Sequence, residues 1–424
     1  MTCFTLGALR RIGTLHLMPS PPAAADTRVL FASRLLRMFA YGMLGVVLVL
    51  YLVRLGFDGG KIGLLLSLTL LGDVAISLWL TTHADRWGRR KTLVVGAALM
   101  ALGGAGMAAS ENFLVLVVAA TIGVISPTGG EVGPFQAVEQ ACIAQEVANE
   151  NRTRLFAWYN LAGYLASALG ALAVGWFLGG SHYDGVAAYR LVFWAYAACG
   201  VALGVLALRL SPAVEAPAGG GAIHTGPTLL GLRESRGLVM RLSALFALDS
   251  FGGGFVLQSF LAWWLQQKFG ADEAVLGAIF FCTNLLSGVS GLAAVPLAKK
   301  IGLINTMVWT HLPSNVLLML VPLMPTLPLA IAFLLARHLL SQMDVPTRAS
   351  YLSAVVAPAE RAAANGATST AKQLGTALGP LIAGKLFGAA AATGLPFFVC
   401  GVLKSSYDVM LWRAFRQTKP PEER

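Results

Sequence analysis

An all-α membrane protein with about twelve transmembrane helices, arranged as two pseudo-symmetric six-helix bundles, is the fold class this sequence predicts. Three observations predict it. Of 424 residues 56% are hydrophobic and 12% charged, giving a mean hydropathy of +0.70, far too apolar for a water-soluble domain. Apolar runs long enough to cross a bilayer recur along the chain. The second half of the chain also repeats features of the first in order.

Windows of about 20 residues place spans at 29–55, 61–83, 92–110, 112–138, 153–179 and 188–209, then at 238–266, 274–298, 303–323, 326–348, 362–388 and 394–415. Residues 1–27 read as a disordered cytoplasmic tail, 28–210 as the first bundle, 211–236 as a Pro- and Gly-rich cytoplasmic linker, 237–416 as the second bundle and 417–424 as a short cytoplasmic tail. Arg10 and Arg11 stand behind a weak apolar patch and ahead of Pro19-Ser20-Pro21-Pro22, which does not match a cleavable signal peptide. Met18 is an alternative start.

The net charge of +11 is spread over short loops on one side rather than gathered on a soluble face, so it reads as orientation signal and excludes nucleic acid as a partner. Arg86, Arg89, Arg90, Lys91, Arg152, Arg154, Arg209, Lys299, Lys300 and Arg361 fall on the side that also receives both termini. That side is expected to be cytoplasmic, in a multi-pass protein of the cell inner membrane. Five cysteines lie far apart with no CxxC or Cys/His spacing, so neither a metal nor a disulfide framework is expected, and no cofactor motif is present.

The repeat is legible residue by residue. Arg34-Leu35…Phe39-Ala40 matches Arg241-Leu242…Phe246-Ala247, Ile62-Gly63 matches Leu276-Gly277, and Gly88 matches Gly302. Further on, Pro134 matches Pro346, Arg152 matches Arg361, and Ala168-Leu169-Gly170 matches Ala377-Leu378-Gly379. Tandem helical bundles with a midplane site between them are an alternating-access architecture.

Between the second and third spans stands Asp85-Arg86-Trp87-Gly88-Arg89-Arg90. It resembles the signature loop of the major facilitator superfamily, and the twofold repeat of six spans carries that resemblance over nearly the whole chain. Two departures stand out: Thr81 occupies a position where the family usually has Gly, and Ala171 follows Gly170 where drug antiporters of the family have Pro. The resemblance implies a gating role for Asp85, Arg86, Gly88, Arg89 and Arg90, with Asp85 latching the cytoplasmic side, and implies that spans one, four, seven and ten line the cavity.

An ionisable side chain at the bilayer centre costs roughly 2.5–3.5 kcal/mol on insertion scales, so each one asks for a reason. Arg34 and Arg241 occupy matched positions, as nearly do Glu131 and Asp344, which suggests symmetric gating pairs; the alternative is that both arginines snorkel to headgroups. Arg37 lies a turn deeper. Asp249 stands in the middle of span seven before Gly252-Gly253-Gly254 and is the first candidate for proton coupling, with Asp73 the second; either also fits a structural hydrogen-bonding role. Asp73 and Lys372 are expected to meet between the halves, with Gln373 at the same level, and Asn160 is expected to meet Asn284. Arg37, Tyr41, Glu131, Gln136, Gln258, Asp344, Arg348, Lys372 and Gln373 are the candidate substrate-cavity residues.

The leading reading is a monomeric, proton-coupled secondary transporter that exports a small organic molecule across the lipid bilayer by alternating access. An exchanger of organic anions or phosphorylated metabolites, using the embedded Arg and Lys, is the alternative. A membrane receptor without transport is the remote one. No nucleophile with a His partner and no HExxH motif is present, so the chain is not expected to be an enzyme.

Overall fold

The computed structural model describes residues 21–146, 149–180, 185–216, 232, 234–389 and 394–418. Most of the expected disordered tail, with Met18, the centre of the linker and residues 419–424 lie outside them. Residues 21–27 correct the expected boundary: the first helix already starts at Pro21, with proline at a helix start, where its missing N–H costs no bond.

Among the described residues fifteen α-helical segments account for the spans: α1 Pro21–Arg54, α2 Gly59–Trp87, α3 Arg89–Ala109, α4 Phe113–Ile122, α5 Phe135–Glu146, α6 Asn149–Gly179, α7 Val186–Leu208, α8 Arg236–Gly253, α9 Gln258–Phe269, α10 Glu273–Ile301, α11 Leu303–Leu320, α12 Leu327–Ser341, α13 Asp344–Val355, α14 Arg361–Ala389 and α15 Leu395–Phe415. Eight stretches among the described residues are long and apolar enough to cross a membrane, α8 and α9 counting as one. Four expected spans fall short: the fourth and tenth because each is divided, into α4 with α5 and α12 with α13, and the eleventh and twelfth because α14 and α15, though long enough, are less apolar. The fourth and tenth also run further than expected, to Glu146 and Val355.

Asp26 near the start of α1 accepts from the Ser211 backbone N–H at 2.9 Å, so the linker marks one end of the bundle. We call it the linker side and the opposite end the far side. On the far side the halves close on one another through glycines. A Cβ on Gly63 of α2 would stand 2.3 Å from the Pro380 carbonyl of α14, and one on Gly175 of α6 would stand 2.6 Å from the Glu273 carbonyl of α10. Small residues thus let backbones approach where lipid supplies no hydrophobic drive. The Tyr189 hydroxyl donates to Glu273 across the same seam at 2.6 Å, and the Ser259 N–H donates to the Pro127 carbonyl at 3.2 Å.

On the linker side the picture reverses. A Cβ on Gly366 of α14 would meet nothing within 4 Å, and Asn365, Gly366 and Ser369 are exposed, as are Trp79 and Trp87 of α2. Contacts between the halves reach mid-depth, where Tyr164 meets Gln342 at 3.5 Å. The molecule is closed on the far side and open on the linker side.

Candidate functional site: two buried charge clusters

Each half places one charge cluster beside a helix break. In the first half the break runs from Gly123 to Pro134 between α4 and α5, through Gly129 and Gly133 at positive φ and Val124 at φ 51°. Helix breaks leave carbonyls and N–H groups without partners, each worth several kcal/mol in hydrocarbon. Here side chains supply them: Tyr196 donates to the Val124 carbonyl at 2.8 Å, Ser167 to that of Gly129 at 2.8 Å and Tyr41 to that of Val132 at 3.2 Å. Asp73 accepts from the Gly133 N–H at 2.6 Å and from Ser77 at 3.3 Å.

The first cluster is built around Arg37, which is fully buried. Its Nη1 and Nη2 each donate to one oxygen of Glu139 at 2.8 Å, and its Nε donates to Glu131 at 2.9 Å. Ser33 donates to Glu139 at 2.6 Å, and the Tyr159 hydroxyl donates to it as well. Arg34 is also buried and pairs with Glu131, its guanidinium over the Tyr159 ring at 4.7 Å. Two arginines thus face two glutamates, and the cluster is neutral. Arg34 does not snorkel.

The second cluster surrounds Asp249, on the last turns of α8 where the chain passes through the short 3-10 turn Gly254–Val256 into α9. The expected bend at Gly252-Gly253-Gly254 is present. Lys404 of α15 donates to Asp249 at 2.7 Å and Arg348 of α13 at 3.1 Å, while His311 Nε2 of α11 stands 3.9 Å away. Arg348 also pairs with Asp344 one turn earlier, and lies over the rings of Phe246 and Tyr407 at 4.7 and 5.4 Å. His311 Nδ1 faces the two oxygens of Asp408 at 2.9 and 3.1 Å, and Asn315 donates to Asp408 at 2.9 Å.

Several expectations need correction. Arg241 is exposed and forms no ion pair among the described residues; Asp344 pairs with Arg348, so the expected symmetry of Arg34 and Arg241 fails. Register explains it: Arg348 lies one turn after Asp344 on the same face and takes its carboxylate. Asp73 and Lys372 do not pair, because Asp73 turns inward to the α4–α5 break; the Lys372 ammonium has no ion-pair partner among the described residues. Gln373 is exposed, and Asn160 is exposed rather than joined to Asn284. Gln136 is half-buried on the first turn of α5. Gln258 sits in the far-side seam, its amide 2.5 Å from where a Cβ on Gly45 would be.

The signature turn is held by the linker. Asp85 is exposed and takes Arg89 Nε at 2.8 Å within its own turn. Glu215 accepts from the backbone N–H groups of Arg89 and Arg90 at 2.6 and 3.2 Å, supplying the negative charge that the start of α3 favours. Gly88 between them adopts φ 106°, which a side chain would strain. Arg90 donates to the Leu208 carbonyl, and Arg86 is exposed. A crevice of about 650 Å3 between the linker-side ends of α10, α11, α13 and α15 includes no residue of either cluster.

The family model of the Major Facilitator Superfamily matches residues 30–263 and 242–424, nearly the whole chain. The chain belongs to the Major Facilitator Superfamily. It is therefore a multi-pass membrane transporter of a small molecule and not an enzyme. Among curated proteins it is 34% identical over 395 residues to the uncharacterized membrane protein YJR124C of Saccharomyces cerevisiae, covering 86% of this chain and 88% of that one. A bacterial homologue of the human lysosomal transporter Spinster, in an inward-facing and occupied conformation, superposes with a TM-score of 0.75 at 15% identity, over 94% of this chain and 99% of that one. The D-xylose–proton symporter does so with 0.71 at 14% identity, over 92% and 97%. At these identities the two structures establish the superfamily fold alone.

Sequence reasoning missed Glu139, Tyr159, His311, Lys404 and Asp408. Glu139 lies one residue past the expected end of span four. Lys404 and Asp408 are charges four apart inside an expected span and qualified under the same insertion-cost argument as Asp249.

Proposed function

We propose that this superfamily member is a proton-coupled secondary transporter of a small organic molecule, with Asp249 as the coupling carboxylate. The observation that carries the reading is Asp249 itself: a buried acid beside the α8–α9 break, held by Lys404 and Arg348 from two other helices. A substrate or proton that displaces either cation changes what holds α8 to α13 and α15, so binding and helix packing are linked. In this reading Glu131, Gln136, Asp344 and Arg348 contact the substrate, supported by Arg37 and Tyr41. Asp73 is a second candidate proton carrier that fixes the α4–α5 break.

In this reading the bundles 28–210 and 237–416 rock as a monomer about the midplane, the linker side faces the cytoplasm, and substrate leaves the cell in exchange for protons. Asp85, Arg86, Gly88, Arg89 and Arg90 gate the linker side, with Arg34 a second gate.

One observation favours a second reading. Lys372 and Arg337 sit in the second half without a carboxylate within 4 Å among the described residues, and Arg337 Nε is buried with no hydrogen-bond partner. Unpaired cations in hydrocarbon suit an organic anion. The test is a thermal-shift screen of purified protein against sugars, nucleosides, organic anions and cationic drugs at several pH values. Stabilising compounds are then taken into proteoliposomes under a proton gradient. Uptake that follows the gradient supports coupling; uptake indifferent to it, yet lost in Lys372→Gln, favours anion exchange.

A further inference from the structure

Asp408 on α15 is fully buried, and no Arg or Lys among the described residues stands within 4 Å of it. Its contacts are His311 Nδ1 and the Asn315 amide, both from α11. An isolated carboxylate in such a place is costly unless neutralised. The cation within reach is the imidazole of His311, whose other nitrogen points at Asp249.

The charges decide how many protons this arrangement holds. Asp249, Asp344 and Asp408 supply three negative charges, while Arg348 and Lys404 supply two fixed positive ones within ion-pair distance. Counted within ion-pair distance, a neutral His311 leaves one negative charge uncompensated, while Arg337 and Lys372 act on Asp249 and Asp344 from further away. With one added proton that count is balanced. The geometry agrees: a neutral imidazole donating from Nδ1 to Asp408 would turn the lone pair of Nε2 toward the Asp249 carboxylate, whereas an imidazolium offers an N–H to each acid. The opposite tautomer requires the proton on Asp408 instead. Both forms place the added proton on the His311–Asp408 pair.

We propose that His311 and Asp408 form a proton-binding site in the second half, linked through Nε2 to Asp249. Water on the open linker side is the proton donor, so proton uptake leaves a hydroxide in solution and an imidazolium, or a neutral Asp408, in the protein. The bound proton draws Asp249 on α8 toward His311 on α11, and its loss leaves Asp249 to its ion pairs with Lys404 and Arg348. His311 meets Asp249 from α8 and Tyr407 and Asp408 from α15, and around Asp249 stand Lys404 from α15, Arg348 and its partner Asp344 from α13 and, acting on both Asp249 and Asp344, Lys372 from α14. Arg337 acts on Asp249 from α12, and α10 carries its charges at its ends, at Glu273, Lys299 and Lys300. The role of this proton in transport rests on the proton-coupled reading above; its presence does not.

The test needs no substrate. Full-length protein with isotope-labelled histidine, in lipid nanodiscs, is titrated between about pH 5 and pH 9, the range that brackets imidazole exchange. His311→Gln assigns the His311 resonances by their loss. The expected result is one proton fewer taken up per molecule in His311→Gln, with the His311 signal changing protonation state or, with the proton on Asp408, a protonated-carboxyl infrared band that is lost in Asp408→Asn. Asp408→Asn, which keeps a side chain able to bond Asn315, is expected to alter the His311 titration. A His311 that stays neutral throughout, with no protonated Asp408 band, overturns the proposal. Gradient-driven transport surviving in that case leaves the coupling reading standing on Asp249. Titration of His311 without any gradient-driven transport overturns the coupling reading and leaves the site.

Discussion

The Arg37 guanidinium and the Glu139 carboxylate meet side by side, with two N–H···O bonds of 2.8 Å, and both side chains are fully buried. This is the bidentate arrangement that makes arginine distinct from lysine. Breaking one side of a buried pair costs about 3–5 kcal/mol. Glu139→Gln is therefore expected to lower the thermal unfolding temperature of purified protein much more than Glu131→Gln, whose side chain is 14% exposed. Equal losses in the two variants would mean that Glu139 is not the anchor.

Asp73 makes a separate prediction. Its carboxylate accepts from the Gly133 N–H inside the α4–α5 break, so any acceptor of the same shape serves. Asp73→Asn is expected to stay near wild-type stability, and Asp73→Leu to lose about 1–3 kcal/mol by stranding a buried donor. Thermal unfolding of the two proteins checks it. An Asp73→Asn protein that is intact yet no longer responds to a proton gradient would assign Asp73 a coupling role as well.

The far-side seam predicts a conformational shift. A Cβ on Gly63 falls 2.3 Å from the Pro380 carbonyl, too close for any side chain, and backbone cannot swing aside as a flexible side chain does. Gly63→Val is expected to push the far side apart and close the linker side. A cysteine placed at Ser369, exposed on α14, is expected to react more slowly with a soluble maleimide in that background. Unchanged reactivity would mean that the seam does not hold the open state.

The linker predicts a local effect. Glu215 caps the start of α3 through two backbone N–H groups, and such caps are worth about 0.5–2 kcal/mol. Glu215→Ala is expected to speed proteolysis between Ser211 and Ser235 with little change in global unfolding. Proteolysis at the wild-type rate would mean the cap does not fasten the linker.

The superfamily fold was legible because its signals are local: apolar runs, the Asp85–Arg90 turn and the paired repeat positions. The clusters were legible only in part. Arg37, Glu131, Asp249, Asp344 and Arg348 were found as charges in apolar runs, but their partners depended on packing. Glu139 escaped because span four continues past its break, and breaks hide helix ends from hydropathy. Symmetry misled for Arg241. In the first half the arginine comes from span one and the acids from span four, whereas in the second half the acid Asp249 comes from span seven and Arg348 from span ten. Duplication kept the backbone and exchanged the sign of the charges.

The most direct test of the account measures proton movement with substrate movement. Wild type and Asp249→Asn are reconstituted in proteoliposomes holding a pH-reporting dye, and a compound found by thermal shift is added on one side. The account predicts proton flux dependent on the compound in wild type, and binding without proton flux in Asp249→Asn. Transport of the compound by wild type with no accompanying proton flux would contradict it.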